Sequence, residues 1–363
     1  MRIEYAKIVD AYQKLRADRE SKAQGFINGE KSYLIYQASV KSELYTDADS
    51  KEICFERYMH YISKCLDEKS DHVPAMQPWF GTGVYANMYG CKYYWRKNEA
   101  PATRYLYNSL EDIPGIKKPR WEDSEIAMMV VDTIRYFKSM TGDAIPIVLT
   151  DTQSASDTAT LVVDASEILM GCISDPELVM DFMIDINRLI IEFSQAQAEL
   201  IGDALIRPGH VMYSGKSFSG ISVSDDNIAV VSPQIGEVFN LALDEMVGQA
   251  MGGVAIHSCG MWEKCMSIIR RAAPSCCMVH CSLSTEWDTT PNKPEDVRDA
   301  LAGTGIPVHV RVPGETERMI ETVKRVIHPD LKLIVQPRYV NDETAERNYN
   351  ELNALLNNFY RNC

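Results

Sequence analysis

Strand-like and helix-like patterns alternate from Glu122 to the C-terminus, and this rhythm limits the possible folds more than any other feature. Short apolar runs at 144–149, 204–206, 253–257, 277–281, 307–310 and 331–335 read as buried strands. The segments between them, at 126–140, 233–247, 263–273, 295–300 and 316–326, read as helices. Asp175-Pro176-Glu177 opens a longer helix carrying Phe182, Ile186, Leu189, Ile190 and Phe193, with proline at its first position. A final helix places Leu352, Leu355, Leu356 and Phe359 on one stripe. Strands separated by helical crossovers form a parallel sheet. With His72-Val73-Pro74-Ala75-Met76 the pattern supplies about seven strands, against the eight of a closed (β/α)8 barrel. The remaining strand falls in the loop after Tyr213, or a boundary is misplaced. An open doubly wound sheet would need a glycine-rich dinucleotide turn after its first strand, and the sequence has none. The expected fold is therefore α/β, a TIM-type barrel.

Upstream, Tyr5, Ile8, Val9, Tyr12 and Leu15 recur at helical spacing, and a second helix is expected over 51–66. Residues 1–70 read as an N-terminal helical extension, and 81–120, rich in Gly, Tyr and Pro, as an insertion or lid. The expected organisation is one barrel domain spanning 1–363. A 45% apolar content supports a core of that size without staples. A net charge of -14 argues against a nucleic-acid partner, which needs a basic footprint. There is no signal-peptide pattern and no apolar run near ~20 residues, so a membrane partner is not expected. The ten cysteines lack framework spacing and read as reduced thiols of a cytoplasmic protein.

The most informative segment is Gly253-Val254-Ala255-Ile256-His257-Ser258-Cys259-Gly260. Residues two apart on a strand share a face, so His257 and Cys259 project together at the strand's C-terminal end, where barrel active sites lie. Imidazole and thiolate side by side suit zinc, although a catalytic zinc commonly has three protein ligands. Cys281, at the end of the next strand, is the expected third ligand; the alternative is a thiol packed in the core. Asp225 and Asp226 follow a Gly/Ser-rich loop and are candidate acid/base groups, or caps of the next turn. Gly215-Lys216-Ser217 is not a phosphate loop, because Gly209 sits one residue too far upstream. Gln77, Asp151, Gln153, Arg207, Arg338 and Tyr339 lie at or near strand ends and are candidate substrate-binding residues.

The sequence resembles the uroporphyrinogen decarboxylase superfamily, which includes cobalamin-dependent methyltransferases acting on thiols. The likeness runs from about Asp71 to the C-terminus. It rests on the stretches 95–119 and 146–170 with Asp175-Pro176-Glu177, on Gly202-Asp203-Ala204 with Ser224-Asp225-Asp226 and Ser232-Pro233, and on Ile256-His257-Ser258-Cys259-Gly260. In the methyltransferase branch, a His-x-Cys pair and a further cysteine after the last strand bind zinc. His257 and Cys259 match the pair, but no cysteine stands at 336–338. In the decarboxylase branch, an arginine-bearing N-terminal segment grips carboxylates, and the corresponding 32–40 has no arginine.

The resemblance therefore implies a corrinoid-linked methyltransferase. Zinc would activate a thiol, and cobalamin would carry the methyl group, on a partner corrinoid protein or as a substrate. The alternatives are a decarboxylase of a porphyrinogen or other carboxylated small molecule, and a non-catalytic barrel that binds a corrinoid or another ligand. Decarboxylation would gain if Arg207, Arg311 and Arg338 converged.

Overall fold

The computed structural model describes residues 3–37, 50–95 and 100–362. Its strands are β1 (Tyr33–Ile35), β2 (Tyr93–Tyr94), β3 (Ala102–Thr103), β4 (Ile221–Ser224), β5 (Val254–His257), β6 (Cys276–Ser282), β7 (Val308–Val312) and β8 (Leu333–Pro337). Six of them form one sheet in the order β1-β8-β7-β6-β5-β4. Every pairing in that sheet is parallel, while β2 and β3 form a separate antiparallel ribbon.

Three of the expected strands do not enter a regular ladder. The segments around Met76, Ile147 and Leu205 are joined by single parallel bridges, Met76 to Ile147 and Ile147 to Leu205. A further bridge links Gln153 to Ser224, and the Asp71 N–H donates to the Ile35 carbonyl at 2.8 Å. Among the described residues the regular parallel ladder thus has six strands, where a complete barrel has eight. Of the six, β1 lies where the sequence reading assigns no strand, and β4 falls after Tyr213, one of the two places that reading leaves for the remaining strand.

Alternation divides the sheet into two faces. Val254, Ile256, Val279, Cys281, Val308, Val310, Leu333 and Val335 pack in the main core with the helices. Leu34, Tyr36, Ala255, Met278 and Ile334 occupy the other face, with Ala23 and Phe26 of the first helix and Met212, Tyr213 and Phe218. Burial of the sheet on both faces explains why its strands read as continuous apolar runs.

The helices follow their sequence signals. The first spans Ile3–Ile27 and buries Val9 and Tyr12; the second spans Lys51–Cys65. Ser124 caps Glu125–Thr141 by accepting from the Ala127 N–H at 3.1 Å. Asp175 caps Pro176–Ile201, whose buried stripe includes Phe182, Ile186, Leu189, Ile190 and Phe193. The expected helix over 233–247 is instead Pro233–Gly236, a π-helical turn Glu237–Leu241, and Ala242–Met251. Two helices, Ala155–Val162 and Ala165–Ser174, had no expected counterpart. The 81–120 region holds the β2–β3 ribbon and a helix at Val84–Met88. Of the stretches compared with the family, 38–40 of the N-terminal segment 32–40 and 96–99 of 95–119 lie outside the described residues.

Candidate metal centre

β4 and β5 end side by side, with Ser224 paired to His257. The chain leaves β4 as Asp225-Asp226 and β5 as Ser258-Cys259, and backbone bonds tie the two exits together. The Asp225 N–H donates to the His257 carbonyl at 2.8 Å, and the Cys259 N–H donates to Asp226 Oδ1 at 2.6 Å. His257 Nε2 then lies 3.5 Å from Cys259 Sγ and 4.0 Å from Asp226 Oδ1. One ligand atom from each of Asp226, His257 and Cys259 lies within 4.8 Å of the other two. Gly260 turns the chain away with φ +83°, and its N–H donates to the Asp288 carboxylate.

Burial pushes the Cys259 thiol up to about 12, with the Asp226 and Asp288 carboxylates adding to the effect and Arg311 opposing it. Burial pushes the His257 imidazole down to about 4, partly offset by Asp226. A neutral imidazole, a thiol and a carboxylate within reach of one point fit a zinc ion. The other ring nitrogen, His257 Nδ1, is 2.7 Å from His280 Nδ1. That contact leaves Nε2 turned toward Cys259, the arrangement that second-partner bonds give to ligating histidines.

Cys281 does not join the group. It sits on the helix-facing side of β6 in the main core, and burial pushes its thiol up to about 12. Its neighbour His280, paired with His257 across β5–β6 and with His309 across β6–β7, faces the other way. The third donor beside His257 and Cys259 is Asp226 instead. Asp225 is buried: Oδ1 accepts from Ser154 Oγ at 3.0 Å and from Asn240 Nδ2 at 2.8 Å. Burial, and then Asp244, raises its carboxyl well above the usual range. The π-helical turn brings Asn240 to this contact. Asp157, which sequence reasoning missed, fixes the loop by accepting the N–H groups of Asp226 at 2.8 Å and Asn227 at 2.9 Å.

The candidate substrate residues fall into separate places. Gln77, Asp151 and Gln153 come together with Trp79 and His210. Gln153 Nε2 donates to Asp151 Oδ1 at 3.0 Å, and Trp79 Nε1 donates to Oδ2 at 3.4 Å. Burial pushes the Asp151 carboxyl up to about 7, and Asp226 adds to the rise. Arg207 lies at the opposite end of the sheet, donating to the Gly220 carbonyl just before β4 at 2.9 Å. Arg338 and Arg311 converge on Trp287, their guanidinium carbons 5.4 and 5.0 Å from its ring centre. Tyr339 is exposed and donates to Asp342 Oδ1 at 2.7 Å.

No family model matches this sequence, and no curated protein matches it. Among solved structures, the fold is similar to that of a methyltransferase from Methanosarcina mazei, with a TM-score of 0.66 and 13% identity over 94% of this chain and 99% of that one. At that identity the likeness concerns the fold. Among the described residues, no helix is long and apolar enough to cross a membrane.

Proposed function

We propose that this chain is a TIM-type, zinc-dependent methyltransferase that moves a methyl group between a cobalamin and a thiol. The observation that carries the reading is the convergence of Asp226, His257 and Cys259 at the C-terminal ends of β4 and β5. The fold shared with a methyltransferase is consistent with it. Asp226 takes the place of the cysteine that the family resemblance leads one to expect near 336–338. Three protein donors leave a position open to substrate. Zinc held there supplies a Lewis acid that favours the thiolate form of a substrate thiol.

The chain's own residues do the rest. His257 Nδ1, against His280, holds the ring with Nε2 presented to the site. Asp157 fixes the turn that carries Asp226. Arg311, over Trp287 and within electrostatic reach of Cys259, offers positive charge to an anionic substrate group. The methyl donor is a corrinoid, on a partner protein or free. Of the three arginines that would favour decarboxylation, Arg207 is at the wrong end of the sheet.

The test is demethylation of methylcobalamin by the zinc-loaded protein with a simple alkylthiol, followed by the cobalamin absorbance. The expected result is thiol-dependent demethylation that is lost in Cys259→Ser. Zinc-loaded protein that binds the corrinoid without turnover would overturn the catalytic reading and leave a binding protein.

A further inference from the structure

Three N–H groups of the turn that carries Cys259 are taken by side chains from two other loops. The Cys259 N–H donates to Asp226 Oδ1 at 2.6 Å, the Gly260 N–H to the Asp288 carboxylate, and the Trp262 N–H to Asn292 Oδ1 at 2.9 Å. Asn292 Nδ2 returns a hydrogen bond to the Gly260 carbonyl at 2.9 Å. Asn292 is 2% exposed. Reversing its amide would set oxygen against the Gly260 carbonyl and NH2 against the Trp262 N–H, so its orientation is set. Asp288 and Asn292 belong to the loop after β6, which is itself fixed. The Asn292 N–H donates to the Ser282 carbonyl at 2.9 Å, and the Thr290 N–H donates to Asp288 Oδ1 at 3.0 Å. On its other side the turn meets the segment that follows Asp226. A Cβ on Gly260 would stand 3.0 Å from the Ala229 Cβ.

We propose that Asp288 and Asn292 are positioning residues of the metal centre, holding Cys259 at the place where its sulfur can share an ion with His257 and Asp226, a role that rests on the zinc reading. Cys259 is exposed, so its position comes from the backbone of the turn and not from packing around the thiol. A metal accepts donor distances within only about 0.2 Å, and a loose turn would not keep that tolerance. His257 and Asp226 are already fixed by His280 and Asp157. The loop after β6 supplies the same support for the third donor. It also carries Trp287, against which Arg311 and Arg338 lie. The cysteine ligand and the positive charge offered to substrate therefore share one support. Losing Asn292 would leave the Trp262 N–H without its acceptor, and the turn would have to shift to find another.

The test is titration of the full-length protein with cobalt(II) in place of zinc, because a thiolate bound to cobalt gives a charge-transfer absorption that zinc lacks. The wild type should show that band. Asp288→Ala and Asn292→Ala should bind cobalt about 10- to 100-fold more weakly and lose much of the band per cobalt bound. The control is Asn187→Ala, which removes a buried amide donating to the Leu243 carbonyl at 2.7 Å between two helices. It should lower thermal stability and leave the band intact, which separates positioning from a general loss of stability. Asp288 is only half-buried, so Asp288→Ala decides the matter if Asn292→Ala does not fold. Wild-type affinity and band in the folded loop variants would overturn the positioning role and leave the metal reading standing. An equal loss of the band in Asn187→Ala would overturn it as well. A wild type with no band would overturn the metal reading itself, and the positioning role with it.

Discussion

Zinc affinity rises about tenfold for each pH unit between about pH 6 and about pH 9, with about one proton released per zinc bound. The sign follows from the two perturbed ligands. Metal-free Cys259 is pushed up to about 12 and is a neutral thiol throughout this range. Its proton must leave for sulfur to bind, so raising the pH favours the complex. His257, pushed down to about 4, is already neutral and contributes no slope. Calorimetric titrations in buffers of different ionisation enthalpy measure the released proton directly. Cys259→Ser should remove this proton release and weaken zinc binding at least about 100-fold. A wild-type affinity independent of pH would show that Cys259 is not a ligand.

Asp244→Asn makes the protein more stable than the wild type at pH 8, and the advantage shrinks toward pH 4. Asp244 is 2% exposed, and burial, followed by the nearby Asp157, raises its carboxyl well above the usual range. A group with a raised folded pKa binds more protons in the folded state than in the unfolded chain. Stability is therefore full at low pH and declines as the pH climbs above the unfolded value of about 4. Asparagine keeps the shape and a hydrogen-bond donor beside Asp225 without the ionisation. Urea unfolding of both proteins at several pH values checks this. Parallel pH profiles would mean that Asp244 does not titrate differently in the two states.

Local patterns in the sequence identify the parallel sheet because β5 to β8 are buried apolar runs separated by stretches with helical periodicity. They do not identify β1, which is three residues long, or β4, whose four residues sit among glycines and serines. Both are held by pairing with distant strands. At the site, alternation correctly places His257 beside Cys259. It also assigns Cys281 and His280 to opposite faces of β6, but it cannot say which face is the inner one. That depends on where the helices pack, and they cover the Cys281 side. The contact of Asp226 with Cys259 and the anchoring by Asp157 both join residues far apart in the chain. No local spacing encodes them.

The most direct test of the metal centre is the metal content of purified full-length protein grown with zinc, measured beside the double variant His257→Ala, Cys259→Ser. About one zinc per wild-type chain, lost in the variant, is the predicted result. No zinc in the folded wild type, or the same amount in both proteins, would contradict a centre built on Asp226, His257 and Cys259.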